Sequence, residues 1–226
     1  MSNLEAFFMG ILTSIIGGVL LIVISGHWRK IIEFFLFRSA FKTITGIDGV
    51  DETIGKGISP EKSLKLCKNN IRFLGIAANK LTRSKEFNEA IKRCNRSDEP
   101  IQFLLAHPDN PILQHAANRA GKPLTEYQEM VRNTLKRLNK LKNEHGYNIE
   151  VKLYKSYSEK GPPSFRLFFI DNKAVLVSYY VFGEGDGLQM PQIKISKPTT
   201  DRDTKNFYFA FNHYFNSLWE LSEEFF

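Results

Sequence analysis

Residues 164–171 read Ser-Phe-Arg-Leu-Phe-Phe-Ile-Asp, and three of them carry chemistry. The Ser164 hydroxyl and the Arg166 guanidinium are two positions apart, so on an extended strand they point to one face. The Asp171 carboxylate opens the turn that follows. Arg166 suits a phosphate group, because its N–H donors form a fixed fork matching two phosphate oxygens. Ser164 as a nucleophile needs a base to take its proton, and no histidine lies close to it in sequence. The Arg166–Asp171 combination has two readings: an ordinary ion pair at a strand end, or a pocket that holds phosphate.

Two further segments offer polar groups of the same kind. Asn79, Lys80, Thr82 and Arg83 come just before a helix expected from Ser84, and a helix N-terminus favours anions. Thr82 or Ser84 reads equally well as that helix's cap. His107 and Asp109 follow a strand, where Asp109 also reads as a cap. Tyr179 and Tyr180 present aromatic faces for stacking a base, or for packing within a sheet. The helix carrying Arg132, Lys136, Arg137, Lys140 and Lys142 is either a solvated face or a surface for anionic lipid or RNA. Aromatic residues do not alternate with its basic ones, so no specific nucleic-acid partner is expected. Cys67 and Cys94 lack metal-ligand spacing and read as reduced, packed small hydrophobes. No metal site, cofactor or catalytic residue is assigned.

The elements that must position these groups alternate along the chain. Apolar runs predict strands over 71–77, 101–106, 149–154, 165–170, 174–181 and 192–196. Helices are expected over 59–68 (Ser59 as N-cap, Pro60 in the first turn), 84–94 and 204–225. A long helical stretch after Asp109 breaks near Gly121-Lys122-Pro123, and its second half runs over 125–145. This order predicts a mixed α/β fold, a sheet flanked by helices. In open α/β sheets ligands bind beyond the carboxyl ends of the strands, where the segments at 78–84 and 107–110 fall.

The first 45 residues differ in kind. No charged residue occurs over 6–26, and 21 residues of helix at about 1.5 Å each reach across a hydrocarbon core of roughly 30 Å. A single transmembrane helix is therefore expected. Arg29, Lys30, Arg38 and Lys42 follow it and only Glu5 precedes it, which places the N-terminus outside and the C-terminal part in the cytoplasm. Gly10, Ser14 and Gly18 share one helix face and would let the span pack against a copy of itself. The expected organisation is a transmembrane helix and juxtamembrane extension over 1–45, a linker and short helix over 46–69, and a cytoplasmic domain over 70–226. The net charge of +7 suits anionic lipid near the membrane and phosphate-bearing partners elsewhere.

The 164–171 spacing resembles the His-x-Lys-x4-Asp motif of the phospholipase-D-like superfamily. Ser164 stands at the histidine position, Arg166 at the lysine position, and Asp171 is kept. The family also tends to place Gly-Ser, with Asn soon after, on the next strand; here Ser178, Tyr179 and Phe182 depart from that. The resemblance implies a phospholipase-D-like mixed sheet whose phosphohistidine route is closed. A ligand site then comprises Ser164, Arg166, Asp171, Asn79, Lys80, His107, Tyr179 and Tyr180. A one-span chain with such a domain also looks like bacterial anti-phage membrane effectors. That likeness implies an inner-membrane sensor–effector responding to a nucleotide second messenger by homo-oligomerisation. The alternatives are a membrane-bound phosphodiesterase or nuclease with an atypical site, and a protein-binding membrane scaffold.

Overall fold

Runs of β-branched and aromatic residues, separated by turn and cap residues, build one mixed sheet in this chain. The computed structural model describes residues 3–24, 32, 35–36, 41–42, 45–51, 54, 59–155, 163–179, 191–198 and 206–226. Two units are distinguished, Met1–Ile44 and Thr45–Phe226.

In the first unit, α1 spans Asn3–Ile24. Its side chains Phe7, Phe8, Ile11, Leu12, Ile15, Ile16 and Val19 are all exposed. Thr13 Oγ1 and Ser14 Oγ both donate to the Gly10 carbonyl, at 3.0 and 2.9 Å. Among the described residues no helix is long and apolar enough to cross a membrane. The side chains described on α1 run from Phe7 to Val19, about 18 Å of helix at 1.5 Å per residue.

The second unit begins with β1 (Ile47–Asp51), α2 (Pro60–Ser63) and a 3-10 turn at Leu64–Leu66. Then come β2 (Ile71–Gly75), α3 (Asn79–Arg83), α4 (Lys85–Cys94) and β3 (Ile101–Ala106). Next are α5 (Ile112–Arg119), α6 (Leu124–His145), β4 (Ile149–Tyr154), β5 (Phe165–Ile170) and β6 (Ala174–Tyr179). The chain ends with β7 (Gln192–Ser196), α7 (Phe207–Glu220) and β8 (Glu223–Glu224). The strand order is β1-β7-β6-β5-β2-β3-β4-β8. Strands β2, β3 and β4 are mutually parallel, and β5 joins β2 antiparallel.

Two expectations change here. Residues 47–51, read as linker, form an edge strand on β7 with Val50 opposite Ile193. The C-terminal helix ends at Glu220, and Glu223–Glu224 pair with Leu153 and Lys152 of β4. Both additions are short, polar edge strands, which carry little apolar signal and exist through pairing with a distant partner.

The register separates the two faces of the sheet. Arg72 lies opposite Phe169 and Phe73 opposite Phe168. Phe165 and Phe169 pack against α7 through Phe211, Tyr208 and Phe215. On the other face Phe73 and Phe103 meet Phe87 of α4. Strand β2 is buried at every position and sits between these layers.

Candidate phosphate-binding edge

Because β5 runs against β2, the start of β5 lies at the same sheet edge as the ends of β2, β3 and β4. The end of β6 and the start of β7 also meet there, through Phe165↔Tyr179 and Ser178↔Gln192. That edge collects Ser164, Arg166, His107, Tyr179 and the α3 residues Asn79 and Lys80. Tyr180 lies outside the described residues, as does Phe182.

Arg166 pairs with Ser178, Ser178 with Gln192, and Gln192 with Asp51. Cross-strand partners share a face, so four polar side chains form one row over four adjacent strands. The row is on the Phe73 face, since Arg166 has the parity of Phe168 on β5. Ser178 and Gln192 are buried, Arg166 and Asp51 half-buried. Gln192 Nε2 donates to Asp51 Oδ2 at 3.3 Å. One residue beyond the Leu74–Leu167 pair, β2 offers Gly75 beside Arg166, and a glycine puts no side chain into that space. The row thus holds a guanidinium, a hydroxyl and a carboxamide, which can donate to anionic oxygen, and ends at the Asp51 carboxylate, which takes a hydrogen bond from Gln192.

Asp171 does not belong to this edge. It follows the far end of β5, five residues from Arg166, about 16 Å along a strand, and odd spacing turns it to the opposite face. The expected Arg166–Asp171 ion pair is therefore not formed. Asp171 is buried, and its carboxylate accepts three backbone N–H groups: Lys68 (2.9 Å to Oδ1, 3.0 Å to Oδ2), Asn69 (2.8 Å) and Asn70 (3.1 Å). Its φ of 51° is left-handed, as is that of Asn172. Asp171 fastens the segment entering β2 to the β5–β6 turn.

Tyr179 is exposed at the edge but on the face opposite Arg166, its ring 5.6 Å from that of Phe165. It packs over the α7 side and does not converge with the row. Ser164 is exposed at the mouth of β5, with the parity of Arg166. Burial pushes the Tyr214 phenol up, offset by a hydrogen bond with the Ser164 backbone.

His107 follows β3, and β2 lies between β3 and β5, a backbone separation of roughly 10 Å at the usual strand spacing. Its Nδ1 accepts the Asp109 N–H at 3.1 Å. The His107 turn is built around Asn110, which is buried, donates to the Tyr154 carbonyl and accepts the Ile112 N–H. Asn110, not Asp109, caps the turn into α5. His115 is exposed on α5.

Asn79–Arg83 form a one-turn helix of their own, not a loop. The N-terminus of α4 is already occupied by Ser84, whose Oγ accepts the Phe87 N–H at 3.1 Å. Asn79 is half-buried and Lys80 exposed. On α6, Arg132 meets Asp109 at 3.6 Å, Arg137 donates to Thr82 Oγ1 at 3.1 Å, and Lys142 sits over the Phe226 ring.

Reasoning from sequence missed Gln192 and Asp51. Gln192 was legible only as the first residue of a strand; its place beside Ser178 comes from pairing.

No family model and no curated protein matches the chain. Among solved structures it is similar to TrmBL2, an archaeal chromatin protein with a novel mode of DNA binding. That match has 14% identity and a TM-score of 0.47 over 99% of this chain and 70% of that one. It is also similar to Nuc from Salmonella typhimurium, a phospholipase D family member, at 13% identity and TM-score 0.45 over 74% of this chain and 88% of Nuc. Phosphatidylserine synthase from Haemophilus influenzae Rd KW20 is similar at 11% identity and TM-score 0.45, over 73% of this chain and 35% of that one. These are likenesses of chain path at low identity, and the functional reading of the edge rests on this chain's own residues.

Proposed function

We propose that the second unit is a phosphate-recognising module of phospholipase-D-like descent that binds its ligand without the histidine route. The row Arg166–Ser178–Gln192–Asp51 carries this reading. A half-buried guanidinium beside a buried hydroxyl is a donor pair for phosphate, the Gln192 carboxamide ties that pair to Asp51, and Ser164 at its mouth has no imidazole in sequence reach. The ligand class is a nucleotide or other phosphorylated signal.

Attachment to a membrane through α1 is part of the same proposal. At about 100° per residue, Phe7, Phe8, Ile11, Leu12, Ile15, Ile16 and Val19 cover one half of the helix. Gly10, Thr13, Ser14 and Gly17 cover the other, and Gly18 falls between Phe7 and Ile11 at the edge of the apolar half. A Cβ added at Gly10, Gly17 or Gly18 would meet nothing. Large apolar groups on one half suit lipid, and small ones on the other suit close approach of a second helix. Flotation of the full chain with liposomes tests the attachment, and recovery of the chain at the bottom of the gradient refutes it.

The decisive experiment is a thermal-shift panel on the full chain in detergent micelles. It covers cyclic mono-, di- and trinucleotides, linear nucleotides and inorganic phosphate, with Arg166→Ala alongside. A ligand at about a hundred times its Kd stabilises by roughly 2.7 kcal/mol. The expected result is a shift in the wild type that shrinks in Arg166→Ala. A flat panel overturns the proposal and favours a protein-binding scaffold. Turnover of a phosphodiester that disappears in Arg166→Ala would instead favour the phosphodiesterase or nuclease alternative.

A further inference from the structure

A second group of cations gathers where α3 packs on α6. Arg137, half-buried on α6, donates from Nη1 to Thr82 Oγ1 at 3.1 Å. Thr82 is buried on α3 and its own hydroxyl donates a hydrogen bond to the Ala78 carbonyl at 2.9 Å. These two hydrogen bonds fix the Arg137 guanidinium against the residue preceding Arg83. Burial, and after it the Arg83 charge, hold Arg137 below its usual basicity. A buried hydroxyl thus holds the Arg137 guanidinium one residue along the chain from Arg83, within reach of that residue's charge.

The chain on either side of them is basic. Residues 76–85 and 130–143 contain no Asp or Glu, while they contain Lys80, Arg83, Lys85, Arg132, Lys136, Arg137, Lys140 and Lys142. Among the described residues, the ion pairs of this region join Lys85 to Glu89, Arg132 to Asp109 and Lys140 to Glu144. None of these engages Arg83 or Arg137. A surface that only needs to be solvated would not hold like charges together through a buried threonine, because repulsion drives exposed arginines apart into water.

From this geometry we infer a second phosphate-binding subsite, formed by Arg83 and Arg137 and braced by Thr82. Two planar guanidinium groups can embrace one tetrahedral anion, each through paired N–H donors. Arg83 is exposed, so the anion enters from solvent. Helix α3 begins four residues after the end of β2, at the sheet edge that carries Arg166. The ligand class thus narrows to molecules with more than one phosphate group. This narrowing rests on the proposed function, whereas the subsite itself does not.

Calorimetric titration of the full chain in detergent micelles with inorganic phosphate, then with inorganic pyrophosphate, at constant ionic strength, tests it. The variants are Arg166→Ala, Arg83→Gln, Arg137→Gln and Thr82→Val. The expected result is two phosphates per wild-type chain, one after Arg166→Ala, and one after Arg83→Gln or Arg137→Gln. Thr82→Val keeps the stoichiometry and weakens the second site several-fold. If Arg83→Gln and Arg137→Gln leave phosphate binding unchanged, the subsite is overturned, whatever Arg166→Ala does. If they remove binding that Arg166→Ala leaves intact, the subsite stands and the Arg166 reading falls. Loss of circular-dichroism signal in Arg137→Gln would disqualify that variant, and Arg83→Gln, on an exposed residue, then decides alone.

Discussion

The Asp171 carboxylate accepts the Asn69 backbone N–H at 2.8 Å, across 102 residues of sequence. Lys68 and Asn70 donate to the same carboxylate, so one side chain gathers the N–H groups of three successive residues. This changes the meaning of the Ser164–Arg166–Asp171 spacing. The acid in it is a fastening between the β5–β6 turn and the segment entering β2, while Arg166 belongs to the opposite edge.

Removing that carboxylate should therefore cost stability and spare ligand binding. Asp171→Ala strands three N–H groups and puts alanine at a left-handed φ of 51°. The expected loss is about 3 kcal/mol, since an unsatisfied buried donor such as the Asn70 N–H costs roughly 1–3 kcal/mol and the Lys68 and Asn69 N–H groups, nearer water, cost less. Asp171→Asn keeps one acceptor and a residue that tolerates this φ, so it should lose about half as much. Urea denaturation checks the order. An Asp171→Asn protein that folds normally but fails to bind phosphate would return the residue to the site.

Arg72 provides the matching case on the other face. It is buried, with its guanidinium 4.3 Å from the Phe169 ring centre and 5.3 Å from that of Phe215. Its Nη2 donates to Asn212 at 2.7 Å and its Nη1 to Asn216 at 3.3 Å. Burial pulls its basicity down, and Tyr208 partly offsets this. No carboxylate neutralises it among the described ion pairs. Arg72→Met should lose about 2 kcal/mol, because the half-buried Asn212 amide oxygen loses its charged donor and the cation–aromatic contacts go with it. Adding Asn212→Leu should recover part of that, since an apolar side chain at this half-buried position leaves no amide oxygen unpaired. Chemical denaturation of the single and double variants measures both. Failure of the double variant to recover would mean that the cation–aromatic contact itself carries the stability.

Much of this architecture was legible in local sequence. Strands 101–106, 149–154, 165–170 and 192–196 carry their own apolar signal between turn residues, and the structure keeps those bounds. Ser59 and Ser84 do cap their helices, as their position before apolar-periodic segments suggests. What stayed hidden is set by pairing between distant segments. Ile-Asp-Gly-Val-Asp has the composition of a linker and becomes β1 only because β7 offers it an open edge. The parity that sends Tyr179 away from Arg166 needs the register. The Asp171 contacts need the 68–70 segment brought beside a turn a hundred residues later.

The β1 assignment makes its own prediction at Gly46. Its φ is +76°, its carbonyl accepts the Ser196 N–H at 2.8 Å, and an added Cβ would stand 2.8 Å from the Ser196 carbonyl oxygen. Gly146 ends α6 at a φ of +66° with open space around it. Gly146→Ala should cost about 1 kcal/mol, the conformational penalty alone. Gly46→Ala adds a backbone clash and should cost about 2–3 kcal/mol. Thermal denaturation of the pair checks this. Equal, small effects would mean that 45–51 is dispensable to the sheet.

Alkaline pH should expose the buried thiols. Cys67 and Cys94 are both fully buried and free. Burial chiefly, with nearby Asp171 adding, pushes the Cys94 thiol from 9.0 to about 12, and burial with Cys94 and Asp171 pushes Cys67 higher still. The folded chain then keeps its thiol protons at pH values where the unfolded chain has lost them. Stability on this account is complete below pH 9 and falls as pH rises toward 12, because the unfolded state binds fewer protons there. Tyr208 and Tyr214, raised by burial from 10.0, act in the same sense at somewhat higher pH, so the cysteine contribution is largest between pH 9 and 10 and is read as the difference between wild type and Cys94→Ala. In that window the urea midpoint should decline with pH in the wild type and decline less in Cys94→Ala. Alkylation of both thiols should follow the unfolded fraction. Rapid alkylation of the native chain at pH 9 would show that the thiols are reached without unfolding, and the burial argument would fail.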